Sequence, residues 1–211
     1  MILTRTFLNV RRDGARKLLG SPQAMHAAIL SGFPPGMEAA RPLWRIDSDD
    51  RLRPALYVLS AHRPDFTHIE EQAGWPSHGL TNSMPYDPLL DALKAGTDWA
   101  FRLTANPVHR ATINGKQKVV AHVTVAQQIA WLVDRQELLG AEIGSVDEPS
   151  FTLTNREVRR FRREGATVTL GTATFQGVLR VRNPEVLRAA LTTGIGRAKA
   201  YGCGLMTLAP V

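Results

Sequence analysis

Hydrophobic and polar positions alternate from the first residue. Met1–Val10 (MILTRTFLNV) alternates and is rich in Ile, Leu, Thr, Phe and Val, the pattern of a half-buried strand. Residues 11–20 are basic and read as a loop. Ser21-Pro22 then carries a helix start, Ser as N-cap and Pro in the first turn, and the helix runs through Leu30 to stop at Gly32 and Pro34-Pro35. Pro42–Asp47 and Pro54–Ser60 predict two strands joined at Ser48-Asp49-Asp50, residues 64–73 a short helix, and Met84–Pro88 a fourth strand. A second cycle opens near Gly96. Trp99–Ala105 predicts a strand, and Asn106–Val120, with Asn114-Gly115, a polar, basic loop. Val125, Ile129, Leu132, Val133 and Leu139 space out an amphipathic helix over Val123–Leu139, ending at Gly140. Phe151–Thr154 starts a strand, Ala166–Leu170 and Thr174–Arg182 follow as strand or hairpin, then a helix over 184–193 capped by Asn183-Pro184, and a last strand at Leu205–Leu208.

The order is strand, helix, strand, strand, helix, strand, given twice. This predicts an α+β protein of tandem ferredoxin-like (RRM-like) domains with antiparallel sheets, divided into 1–95 and 96–211.

Charge changes the picture in the second half. Of 26 Lys+Arg and 19 Asp+Glu, residues 1–149 hold 16 of each, so the net charge of +7 falls on residues 150–211, with 10 basic and 3 acidic. Charge gathered in one segment suits a polyanion better than the same charge spread evenly. Arg156, Arg159, Arg160, Arg162 and Arg163 crowd into NREVRRFRREG, and the arginine fork suits phosphate oxygens and guanine edges. The aromatic content is 7%, and no strand carries an RNP-type aromatic pair, which argues against single-strand stacking as the main mode.

The last eighteen residues, GIGRAKAYGCGLMTLAPV, bring Gly194, Gly196, Gly202 and Gly204 around Arg197 and Lys199. Exposed amides beside two cations would cradle a phosphate chain. A strand-like run follows the loop, whereas the glycine loop of a dinucleotide fold opens a helix. A helix C-cap leading into an edge strand accounts for the same glycines. Cys203, the single cysteine, reads as a small apolar filler and rules out an intramolecular disulfide or a cysteine-based zinc site. No two of the six histidines (His26, His62, His68, His78, His109, His122) have metal-ligand spacing on a helix, so no metal and no cofactor is expected. No run is long enough for a membrane helix and the N-terminus lacks a signal-peptide pattern, so a soluble, cytoplasmic protein is expected.

The C-terminal GIGRAKAYGCGL, the Phe175-Gln176-Gly177-Val178-Leu179 run, Pro then His on the first helix, and a length just over two hundred residues resemble the CRISPR repeat-processing endoribonucleases of the CasE (Cse) branch of type I-E systems. The resemblance implies a metal-independent enzyme that cuts the repeat hairpin of precursor CRISPR RNA and stays on its product as a subunit of the Cascade interference complex. RNA brings its own nucleophile, the 2′-OH, so the enzyme need only move protons, steady charge and align the attack. The product would be a 2′,3′-cyclic phosphate or a 3′-phosphate. His26 stands where the family motif places its catalytic histidine, a side chain suited to proton transfer near neutral pH. Three residues earlier the family carries a tyrosine and this chain carries Gln23, whose amide can donate to a phosphate but cannot act as a base. The arginine cluster would meet the stem, and Arg197 and Lys199 the strand near the cut. Two other readings stand beside this one: a hairpin-binding subunit with weak or absent cleavage, and a ferredoxin-like scaffold whose basic tail meets an acidic protein.

Overall fold

A computed structural model describes residues 1–35, 41–76, 81–163 and 165–211, without the side chain of Arg163. The chain divides into two compact units, Met1–Asp91 with Lys199–Gly202, and Ala92–Ala198 with Cys203–Val211.

The first unit runs β1 (Ile2–Phe7), α1 (Asp13–Gly20), α2 (Pro22–Leu30), β2 (Leu43–Asp47), β3 (Ala55–Ser60), α3 (Thr67–Ala73), β4 (Asn82–Pro85) and α4 (Asp87–Ala92). Its sheet has the order β2-β3-β1-β4 with every neighbouring pair antiparallel, the ferredoxin-like arrangement. Leu8, Leu56 and Val58 meet Ala15, Met25, Ile29, Phe66, Ile69 and Ala73 in one core, so the helices bury their apolar sides on one face of the sheet. The basic loop expected at 11–20 is mostly the helix α1. Its Ala15 is fully buried, and a Cβ added at Gly14 would stand 2.2 Å from the Gln72 carbonyl oxygen, so α1 lies directly on α3.

The second unit runs β5 (Asp98–Ala105), β6 (Val108–Ile113), β7 (Lys116–Ala121), α5 (Val125–Val133), α6 (Gln136–Leu139), β8 (Ala141–Glu142), β9 (Phe151–Arg163), β10 (Ala166–Val181), α7 (Pro184–Thr193) and β11 (Met206–Pro210). Its sheet has the order β11-β5-β10, with β8 and β9 pairing successive parts of the far edge of β10. The two units are thus tandem ferredoxin-like folds.

Three sequence expectations change here. The loop at 106–120 is the hairpin β6–β7, turned by Asn114 and Gly115 at φ +53° and +73°, the left-handed pair of a two-residue hairpin turn. The runs 166–170 and 174–182, expected as strand or hairpin, are one strand of 16 residues. The helix over 123–139 is two, α5 and α6, with Asp134 closing the first.

The Phe-x-Gly-x-Leu run has a packing cause. Phe175 and Leu179 are fully buried on the inner face of β10. Phe175 stacks on Trp131 at 6.4 Å and meets Phe151 edge-on at 5.7 Å. Between them Gly177 pairs with Phe151, and a Cβ there would stand 2.3 Å from the Ser150 carbonyl oxygen and 2.4 Å from the Phe151 Cα. Gly177→Ala is therefore expected to cost about 3 kcal/mol or more by forcing β9 from β10. Urea denaturation checks this; an unchanged midpoint would mean that the strands part without cost.

Candidate RNA-binding and catalytic site

The first unit positions His26. Ser21 Oγ accepts the Ala24 N–H at 3.2 Å and Pro22 starts the helix, so α2 is fixed at its N-terminus. Met25 and Ile29 enter the core, which leaves Gln23 exposed and His26 half-buried three residues on, along one side of the helix. His68 places Nε2 2.8 Å from the Ala28 carbonyl oxygen. It ties α3 to the turn of α2 that follows His26. His62 is exposed, and His78 lies outside the described residues.

The 3-10 turn Lys199–Tyr201 packs against α2 and β2, inside the first unit. Gly202 follows it at φ +81°, where a Cβ would stand 2.8 Å from Cζ3 of the buried Trp44. The absence of a side chain is what lets this segment descend onto the ring. Helix α2 thus has a cation-bearing turn against it, and Lys199 makes no ion pair among the described residues.

The glycine loop offers fewer open amides than its composition suggests. The Gly194 N–H donates to Ala190 O at 2.9 Å as the C-cap of α7, and the Gly204 N–H donates to Thr104 O at 2.7 Å. Gly202 and Gly204 are buried; Gly196 is exposed. Cys203 is fully buried, and that burial pushes its thiol up to about 12, so it packs rather than reacts.

The arginine cluster lies along β9 in the hairpin with β10. Opposite residues pair from Arg163↔Ala166 to Arg156↔Ala173, and beyond Ala173 only β9 accompanies β10. The two strands therefore leave the sheet as an arm. Alternation puts Arg156, Arg160 and Arg162 on one face and Arg159 on the other, beside the buried Phe161. Their surroundings differ. Arg156 donates from Nε to Gln128 Oε1 at 2.9 Å and from Nη2 to the Val123 carbonyl, so it ties the arm to α5. Arg159 pairs with Glu157 at 2.8 Å, which offsets part of its charge. Arg162 reaches the Gly165 carbonyl oxygen at 3.5 Å, and Arg160 has no partner among the described residues. The side chain of Arg163 lies outside the described residues.

One pair of residues escaped the sequence reading. The rings of His109 and His122 stand 4.6 Å apart across the base of the β6–β7 hairpin. The signal was the Asn114-Gly115 dipeptide, which folds residues on either side of it together. Among the described residues no three of His, Cys, Asp and Glu gather as metal ligands, and no helix is long and apolar enough to cross a membrane.

Two measurements follow from these contacts. Arg156→Ala strips a partner from Gln128, which is only 6% exposed, and should cost about 1–3 kcal/mol in denaturant melts, whereas Arg160→Ala should change stability by less than about 0.5 kcal/mol. His122 is held below the ordinary imidazole range by burial first, then by the charges of His109 and Arg135, with Asp134 opposing. It should stay neutral to lower pH than a free histidine, and His109→Ala should raise its NMR titration midpoint toward about 6.5. An unmoved midpoint would remove His109 as a cause.

The comparisons with known proteins agree with this architecture. A family model described as CRISPR associated protein matches residues 1–210. The CRISPR-associated endoribonuclease Cse3 of Thermus thermophilus is 33% identical over 224 residues, covering 100% of both chains. The CRISPR system Cascade subunit CasE of Escherichia coli is 32% identical over 130 residues, 56% of this chain and 61% of that one. The structure of Thermus thermophilus Cse3 bound to an RNA representing a pre-cleavage complex superposes with a TM-score of 0.80 at 29% identity, covering 99% of this chain and 98% of that one. With the fold and a full-length likeness in agreement, the chain belongs to the CRISPR-associated family, in the branch of Cse3 and CasE.

Proposed function

We propose that this protein is an endoribonuclease that cuts the repeat hairpin of precursor CRISPR RNA by attack of the substrate's own 2′-OH, and that it keeps the product as a subunit of a Cascade complex. The observation that carries the reading is helix α2: its buried face anchors the helix that bears His26, and the turn that bears Lys199 packs against that helix, in a chain alike over its full length to a CRISPR-associated endoribonuclease.

His26 takes or returns a proton at the reacting oxygens, and no metal is needed for that exchange. Lys199 supplies positive charge toward the phosphate as negative charge grows in the transition state. Gln23, exposed on the same helix, donates its amide hydrogen to a phosphate oxygen and leaves the proton work to His26. The β9–β10 arm holds the stem. Arg160 and Arg162 make its direct phosphate contacts, while Arg159 and Arg156 are partly or mainly engaged within the protein. Of the glycines, Gly196 is the one whose exposure lets RNA approach the backbone; Gly194, Gly202 and Gly204 shape the loop. We place the protein in the cytoplasm with the RNA it processes.

Gln23 also motivates a second reading, a hairpin-binding subunit that cleaves weakly or not at all. One experiment separates them: repeat RNA incubated with the protein in EDTA, beside His26→Ala. A single cut at the 3′ base of the stem, slowed about 10²–10⁴-fold in the variant while RNA affinity holds, is the expected result. Tight binding without a cut by either protein would favour the binding subunit. Cleavage that survives His26→Ala would remove His26 from the chemistry.

A further inference from the structure

The second unit carries a cavity of about 220 Å³ whose other walls lie far in sequence from the glycine loop. His109 and Arg110 enter it from β6, Trp131 and Arg135 from α5 and the turn after it, and Gly196 and Arg197 from the glycine loop. No Asp or Glu among the described residues lines it. Arg110 and Arg197 are exposed and make no ion pair among the described residues. Arg135 is held in place instead: its guanidinium lies 3.8 Å over the Trp131 ring and donates to the Trp131 carbonyl. Three guanidinium groups around one hollow repel one another, and an anion relieves that repulsion.

A second observation points the same way. Trp131 is 3% exposed, yet its indole Nε1 has no hydrogen-bond partner among the described residues. Buried donors are nearly always paired, and an unpaired one costs free energy until an acceptor arrives. Gly196 sits on that edge of the ring: a Cβ there would stand 3.1 Å from Cζ2, two bonds from Nε1. Glycine at φ +77° lets the loop backbone come close to that edge without a side chain between them. Cationic forks, an unpaired N–H and a bare backbone are together the complement of a tetrahedral oxyanion.

We propose that this pocket binds a backbone phosphate of the bound RNA, with Arg110, Arg135 and Arg197 as its cations and the Trp131 indole as its neutral donor. The proposal rests on the RNA reading above and adds a contact made by residues other than those of the arginine arm. The same chemistry would admit a free phosphate, so the test carries an arm for each source.

The experiment follows the Trp131 indole N–H by ¹H–¹⁵N NMR while the full chain is titrated with repeat hairpin RNA or with inorganic phosphate, and measures RNA affinity against salt for Arg110→Gln and Arg197→Gln. The RNA should move the indole resonance downfield. Each variant should bind RNA about tenfold more weakly, with its salt slope shallower by about 0.7–0.9. Wild-type affinity and slope in both variants, with an unmoved indole, would overturn the pocket while leaving the RNA reading intact. A shift with millimolar phosphate and none with RNA would overturn the RNA assignment in favour of a small-anion site. Failure of the unaltered protein to bind any repeat RNA would sink the functional reading and this inference with it.

Discussion

The contact between Gly202 and the Trp44 ring is the constraint on which the candidate catalytic region rests. Trp44 lies on β2 in the core that also takes Met25 and Ile29 from α2. The same ring therefore supports both the helix that bears His26 and the segment that brings Lys199 against that helix. Burying an aromatic side chain of this size supplies a few kcal/mol, and close packing converts that energy into position, because a side chain in a filled core has no alternative place to go. A methyl group at residue 202 would have to displace a ring held on every side. Catalysis by positioned groups needs this kind of stiffness.

Charge in this protein sorts by environment. Arg45, 1% exposed, sends Nε and Nη2 to the carboxylate of Asp47 at 2.7 and 2.9 Å, and its charge is used inside the fold. Arg156 is spent in a similar way, on Gln128 and the Val123 carbonyl. Arg160 and Arg162 project from an arm with little core of its own, where hydration removes any penalty for standing uncompensated. A two-stranded arm of this kind is marginal in isolation, so its tie to α5 through Arg156 has a structural use distinct from the basic surface it supports. Five adjacent arginines are thus at least three different kinds of group.

Much of the fold was legible in the chain. The alternation in β1 and β5, the Ser21-Pro22 and Asn183-Pro184 caps and the twofold recurrence of one element order are local signals, written in residues that act on their neighbours. Two of the misread elements share one cause. In α1 and in β6–β7 polar and basic residues are as many as the apolar ones, and only packing on α3, or a left-handed turn at Asn114-Gly115, settles their form.

His26, Gln23 and the basic tail were likewise visible, because a helix start, a motif position and a charge count need no third dimension. What each residue does with its charge was not. Whether an arginine meets a carboxylate, a carbonyl or water depends on residues far away in the chain, as with Arg156 and Gln128. The grouping of Lys199–Gly202 with the first unit, and the gathering of His109, Arg110, Trp131, Arg135 and Arg197 around one cavity, come from segments separated by tens of residues. The sequence by itself determined the order and kind of most elements and where the excess charge lies, since those follow from interactions between near neighbours. Only the tertiary structure decided which cations remain available and which donor is left unpaired, since burial and long-range pairing set the local dielectric and the supply of partners.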